Sequence, residues 1–157
     1  VPLHGISSPV YFSELCLMQD CENIGITEEQ LTALRSVDYA QPCDLVILTQ
    51  ANPDGDAGGS SMAWGSVLRS QGHRVTCIVP NKYPYFLDWM EGIHEVKVYK
   101  DAPDEVATIM EETDVIYSLD FNKIQRLEGL SVCIERNTHA KTVLIDHHLE
   151  LTHIFDV

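Results

Sequence analysis

The stretch DLVILTQANPDGDAGGSSMAWGSVLRS, Asp44 to Ser70, decides how the rest of the chain is read. Leu45, Val46, Ile47 and Leu48 form an unbroken apolar run, the pattern of a central strand covered on both faces. The run stops at the turn Asn52-Pro53-Asp54-Gly55-Asp56. A helical pattern follows, with Ala63, Trp64, Val67 and Leu68 on one face, and Gly72 supplies its stop. The turn carries two carboxylates, Asp54 and Asp56, at alternate positions. In a purely structural reading Asp56 caps the helix and Asp54 starts the turn, because acids are favoured at the positive end of a helix. A dinucleotide fingerprint fits badly: Gly55, Gly58 and Gly59 do not make GxGxxG, and two anionic side chains would face an anionic ligand. A bound cation would reverse that repulsion.

The chain has 157 residues, enough for one domain with a real core. No stretch approaches the length of a membrane span, and VPLHGISSPVYF lacks the basic start and apolar run of a secretory signal, so a soluble, cytoplasmic protein is expected. Cys16, Cys21, Cys43, Cys77 and Cys133 are an odd, scattered set without CxxC and read as reduced thiols. With 24 acidic against 10 basic side chains the net charge is −14. Such a surface does not grip a long phosphate backbone, which needs Lys and Arg. A small substrate is expected instead, and an anionic one remains compatible if cations dominate the local field.

Residues 1–24 show no clean period. Thr27 and Gln30 make a capping box for a short helix over Thr27–Ser36, with Leu31 and Leu34 inward. Residues 1–36 therefore read as a lead-in and 37–157 as the main domain. RVTCIV, Arg74–Val79, is a second strand. Beyond the turn Pro80–Pro84, the aromatics Tyr85, Phe86 and Trp89 are expected in the core rather than as a base-stacking platform. EVKVY, Glu95–Tyr99, alternates like a strand. Pro103–Thr113 reads as a helix with Val106, Ile109 and Met110 inward. DVIYSL, Asp114–Leu119, is a buried strand ending at Asp120. Ile124–Glu135 is weakly helical with Leu127, Leu130 and Ile134 inward, and KTVLI, Lys141–Ile145, ends at Asp146-His147-His148. Strands alternating with helices predict an α/β fold with a mostly parallel sheet and helices on both faces.

A parallel sheet delivers the loops after these strands to one edge, where ligands of α/β sheets bind. Asp54 and Asp56, Asp120, and Asp146 with His147 and His148 would gather there. Carboxylates mixed with imidazole suit manganese, magnesium, iron, cobalt or zinc, and a carboxylate from a middle loop can bridge two ions. Two ions roughly 3.5–4 Å apart polarise a phosphoryl group and produce a hydroxide nucleophile, so phosphoester hydrolysis is the chemistry suggested. His4, His73, His94, His139 and His153 read as solvated side chains; Arg126 could bind phosphate, but it and Lys123 read first as exposed structural residues.

PDGDAGGS, SLDFNKIQRLE and IDHH, each after a strand, resemble in order and spacing the first three motifs of the DHH phosphoesterase superfamily. The resemblance covers roughly Asp44 to His148, and VPNKYPYFLDW looks most like the branch containing oligoribonuclease and pAp-phosphatase enzymes. It implies a Rossmann-like three-layer catalytic domain with two manganese ions, or magnesium or cobalt in their place. By that resemblance Asp54 would hold the first ion, Asp56 and His147 the second, and Asp120 would bridge. His148 would contact the scissile phosphate, Asp146 would orient the neighbouring imidazole, and Ser60 with the helix-start amides would meet phosphate oxygens.

The implied activity is hydrolysis of short oligonucleotides or small nucleotide phosphates through a metal-bound hydroxide. Long nucleic acid and membrane are not expected as partners, and a homodimer is left open. Two departures stand out. The family usually places a metal-binding His where this chain has Gln50, whose amide oxygen is a poorer ligand for transition metals. The family also continues into a fourth motif and a smaller substrate-recognising domain, so the chain is expected to be a truncated catalytic half. An inorganic pyrophosphatase of the same superfamily, or a silent nucleotide- or metal-binding domain, are the alternative readings.

Overall fold

The computed structural model describes residues 27–35, Val37 and 41–146. Expectations for residues 1–24, for the side chain of Leu31, for Cys16 and Cys21, and for His4, His147, His148 and His153 lie outside the described residues. The chain divides into two units after residue 38. In the first, helix α1 (Glu28–Arg35) carries the anticipated capping box. The Thr27 amide donates to Gln30 Oε1 at 2.8 Å and the Gln30 amide to Thr27 Oγ1 at 3.2 Å, so two otherwise orphaned donors are satisfied.

The second unit runs β1 (Asp44–Leu48), α2 (Gly55–Ser70), β2 (Arg74–Val79), β3 (Lys97–Val98), α3 (Pro103–Glu112), β4 (Val115–Leu119), α4 (Ser131–Arg136) and β5 (Lys141–Ile145). Short 3₁₀ segments occupy Tyr85–Leu87, Ile93–Glu95 and Ile124–Leu130. The five strands form one all-parallel sheet in the order β3-β2-β1-β4-β5. The chain steps outward from β1 through β2 to β3, then crosses back to place β4 on the other side of β1. The sheet therefore reverses its winding between β1 and β4, and a crevice opens at the carboxyl ends of strands where such a reversal occurs.

Alternating side chains of the central strands feed two cores. Val46, Leu48, Ile78 and Ile116 pack with Val106 and Met110 of α3 and with Leu127, Leu130, Cys133 and Ile134 on one face. On the other face α2 lies against Ile47, Cys77 and Tyr117: a Cβ added at Gly65 would stand 3.4 Å from Cys77 Sγ and 3.5 Å from Ile47 Cδ1, and the Trp64 ring meets Tyr117 edge-on at 5.7 Å. These are the three layers expected, and each fully buried Leu, Ile or Val contributes about 1.5–3 kcal/mol of burial. None of the described helices is long and apolar enough to cross a membrane.

Several local expectations are corrected. The buried stripe of α2 is Ala57, Gly58, Ser61, Gly65 and Leu68, whereas Ala63 is exposed, because the helix approaches the sheet on its small residues. Tyr85 and Trp89 are 84% and 80% exposed and Phe86 is 52% exposed, so this trio is surface, not core. A 3₁₀ turn turns one side chain inward, and here that one is Leu87, whose methyl would meet a Cβ on Gly58 at 2.8 Å. Only Lys97 and Val98 of the Glu95–Tyr99 run pair as strand, since Ile93–Glu95 closes a turn. Ile124–Glu135 is a 3₁₀ segment kinked at Glu128 (φ 51°) and then a short α-helix, although Leu127, Leu130 and Ile134 are inward as anticipated. His73 is buried rather than solvated, and its Nδ1 accepts from the Cys43 amide at 3.2 Å.

Candidate active site

The strand register sets the site's floor. Leu48 pairs with Ser118, and Leu119 with Ile145, so Asp120 and Asp146 leave neighbouring strands directly after paired residues. The Asp120 amide donates to the Ile145 carbonyl at 3.1 Å, which carries the ladder one step past β4. Asp120 then takes φ 63°, a left-handed conformation that Asp tolerates better than most residues because its short polar side chain bonds locally. That turn ends the strand and leaves Asp120 only 9% exposed, a carboxylate held at the edge of the core.

On the β1 side the loop Thr49–Asp54 is tied to both neighbours. Its Ala51 amide donates to the Arg126 carbonyl at 2.8 Å, beyond β4, and its Asn52 amide to Asn81 Oδ1 at 2.7 Å, beyond β2. Asn52 itself sits at φ 53°. The loop hands over to α2 at Asp54, which is the N-cap: its Oδ1 accepts from the amides of Asp56 and Ala57, each at 3.0 Å. The cap is thus Asp54, and Asp56 lies in the first helical turn, the reverse of the assignment made from the sequence. Capping engages one oxygen of Asp54. Both carboxylates are exposed at the positive end of a 16-residue helix.

The helix-start amides are largely spent on the protein itself, since Gly58 also donates to the Asp54 carbonyl at 3.0 Å. Ser60 Oγ donates back to the carbonyls of Asp56 and Ala57 at 2.8 and 3.2 Å, so meeting a phosphate requires it to change rotamer. Gln50, two residues beyond β1, accepts on Oε1 a hydrogen bond from Arg126 Nη1. The structure therefore brings Gln50, Asp54, Asp56, Asp120 and Asp146 to one sheet edge, with Arg126 beside Gln50. Among the described residues no group of three or more His, Cys, Asp or Glu is close enough to hold a metal ion; the set anticipated from the sequence includes His147, which lies outside them. Sequence reasoning missed the Gln50–Arg126 pair, and the only signal for it was Arg126 six residues beyond Asp120 in the same motif.

Comparison with known proteins agrees with this fold. The profile of the DHH family, N-terminal domain, matches residues 44–156. A crystal structure of an exopolyphosphatase-related protein from Bacteroides fragilis superposes with a TM-score of 0.69 at 33% sequence identity. That similarity covers 74% of this chain and 34% of the other, so the chain spans about a third of that relative's length. No curated protein matches. The chain belongs to the DHH family.

Proposed function

We propose that this DHH-family chain carries the catalytic carboxylates of a metal-dependent phosphoesterase acting on short oligonucleotides or small nucleotide phosphates, as in the oligoribonuclease and pAp-phosphatase branch. The observation that carries the reading is the convergence of Asp54, Asp56, Asp120 and Asp146 on the carboxyl edge where the sheet reverses. A phosphate approaching this acidic edge, in a chain of net charge −14, would be repelled unless cations join it.

Hard carboxylate oxygens at Asp56 and Asp120 suit manganese or magnesium, and these two with His147 would hold one ion. The position filled by Gln50 suits an ion less well, since its amide oxygen already accepts from a guanidinium. When bound, such ions supply Lewis acidity and a low pKa for coordinated water. The protein's own part is placement. Asp120 is fixed by its strand-end turn, Asp54 locks the start of α2, and the amide bonds of Ala51 and Asn52 hold the intervening loop. A second reading, hydrolysis of pyrophosphate or a longer phosphoanhydride, is supported by the exopolyphosphatase-related relative.

Asp120→Asn tests the first reading, because Asn keeps the left-handed backbone while removing the charge. We expect manganese affinity and manganese-dependent hydrolysis of a diadenylate to fall by roughly 100-fold or more, beyond the roughly 10–100-fold typical of outer-shell partners. The melting temperature should stay near wild type. Unchanged affinity and turnover in the variant would sink the proposal. Faster turnover of pyrophosphate or polyphosphate than of the diadenylate would favour the second reading.

A further inference from the structure

We propose that Arg126, held on the amide of Gln50, is a phosphate-binding residue of the carboxyl-edge site. The inference rests on the reading of that edge as a phosphoester site, and it names the group that receives the substrate's charge on the β1 side.

The backbone of Arg126 is anchored at both ends. Its amide donates to the Lys123 carbonyl at 2.9 Å, and its carbonyl accepts from the Ala51 amide at 2.8 Å. Its guanidinium is held as well, through Nη1 on Gln50 Oε1. A free surface arginine loses rotamer freedom on gripping a ligand, and much of that loss is removed when the group is already positioned.

The partner that positions it is neutral. Among the described residues the ion pairs join Arg74 to Asp44, Lys97 to Glu105 and Lys100 to Glu128, and no described carboxylate lies within ion-pairing distance of Arg126. Gln50 therefore orients the guanidinium without neutralising it. That is unusual use of a cation in a chain with 24 acidic and 10 basic side chains. Arg126 remains exposed, and one bond from Nη1 leaves the Nε and Nη2 donors, the edge that grips phosphate oxygens in a bidentate fork. The loop it is bonded to is the one that delivers Asp54 and Asp56, so a phosphate approaching those acids meets a fixed positive group.

The test is calorimetric titration of the whole chain with inorganic phosphate in magnesium buffer, with melting curves to establish folding. Arg126→Ala should weaken binding roughly tenfold or more, as expected for loss of a charge-assisted hydrogen bond, and Arg126→Lys should recover part of it. Gln50→Glu is the decisive variant. It strengthens the contact to Arg126, so a merely structural role predicts equal or higher stability and nothing else; the clamp predicts weaker phosphate binding at undiminished stability, because the charge is now neutralised. No phosphate binding by wild type, or wild-type affinity in Arg126→Ala and Gln50→Glu, overturns the proposal. Affinities that follow the expected order in a wild-type chain with no manganese-dependent hydrolysis leave the clamp standing and remove the phosphoesterase reading. Hydrolysis with unaltered KM and phosphate affinity in Arg126→Ala does the opposite.

Discussion

Asn52 and Asn81 are joined by a closed pair of hydrogen bonds: the Asn52 amide donates to Asn81 Oδ1 and Asn81 Nδ2 donates to Asn52 Oδ1, both at 2.7 Å. The pair stitches the loop after β1 to the loop after β2, immediately before the capping Asp54. Because Asn52 is exposed, water replaces the lost partner in Asn81→Ala, and the stability cost should stay within about 1 kcal/mol. The loop carrying Asp54 and Asp56 would lose one of its two anchors. We expect manganese affinity and turnover to fall severalfold while the melting temperature changes little, and an equal fractional loss of stability would show the pair to be structural only.

A His at position 50, the residue usual in the resembled family, has one ring lone pair free to accept. It can take the Arg126 donor or a metal ion, not both. Gln50→His alone should therefore leave manganese stoichiometry nearly unchanged, and Gln50→His combined with Arg126→Ala should raise it towards two. Titration calorimetry of the two variants checks this, and a stoichiometry already raised in the single variant would show that Arg126 does not occupy the position.

Burial lowers the His73 pKa below its ordinary value, and its Nδ1 accepts from the Cys43 amide, so the folded state holds the neutral ring. A lowered histidine pKa means that the unfolded chain takes up the proton first. The stabilisation is complete above about pH 6.5, the unfolded value, and is lost as pH falls from there towards the lowered folded value. Urea unfolding at pH 7.5 and 5.5 should show a drop in wild type that is smaller in His73→Asn. Equal drops in the two would remove His73 as the source.

Thr49, the first residue past β1, is 2% exposed and its Oγ1 has no hydrogen-bond partner. Val has the same shape without the hydroxyl, so Thr49→Val should stabilise the fold by about 1 kcal/mol through relief of the desolvation penalty. Chemical denaturation measures it; a destabilised variant would show that the hydroxyl is satisfied in solution by a bound water.

Gly59 lies inside α2, and a Cβ built there meets nothing within 4 Å. Gly59→Ala should then add about 0.5–1 kcal/mol by reducing the freedom of the unfolded chain. Gly58→Ala should not gain as much, because its Cβ would fall 2.8 Å from a methyl of the buried Leu87. The difference between the two melting temperatures is the readout.

The sequence by itself determined the layer order and the edge. The apolar run Leu45–Leu48 and the largely apolar Val115–Leu119 fit strands covered on both faces, and strands that alternate with helices fit a parallel sheet. Those two facts bring Asp54, Asp56, Asp120 and Asp146 to one side, because a parallel sheet has all its carboxyl ends together. Tertiary structure decided what spacing along the chain does not encode. Leu87 rather than an aromatic turns inward because Gly58 leaves room beneath it, and Asp54 rather than Asp56 caps α2 because the loop enters the helix two residues earlier. Gln50 meets Arg126 across 76 residues of chain only because β1 and β4 are neighbours in the sheet. Periodicity reports which face of an element is apolar, but a hydrogen bond between side chains of two loops depends on strand order and register, which are settled only when the whole sheet is assembled.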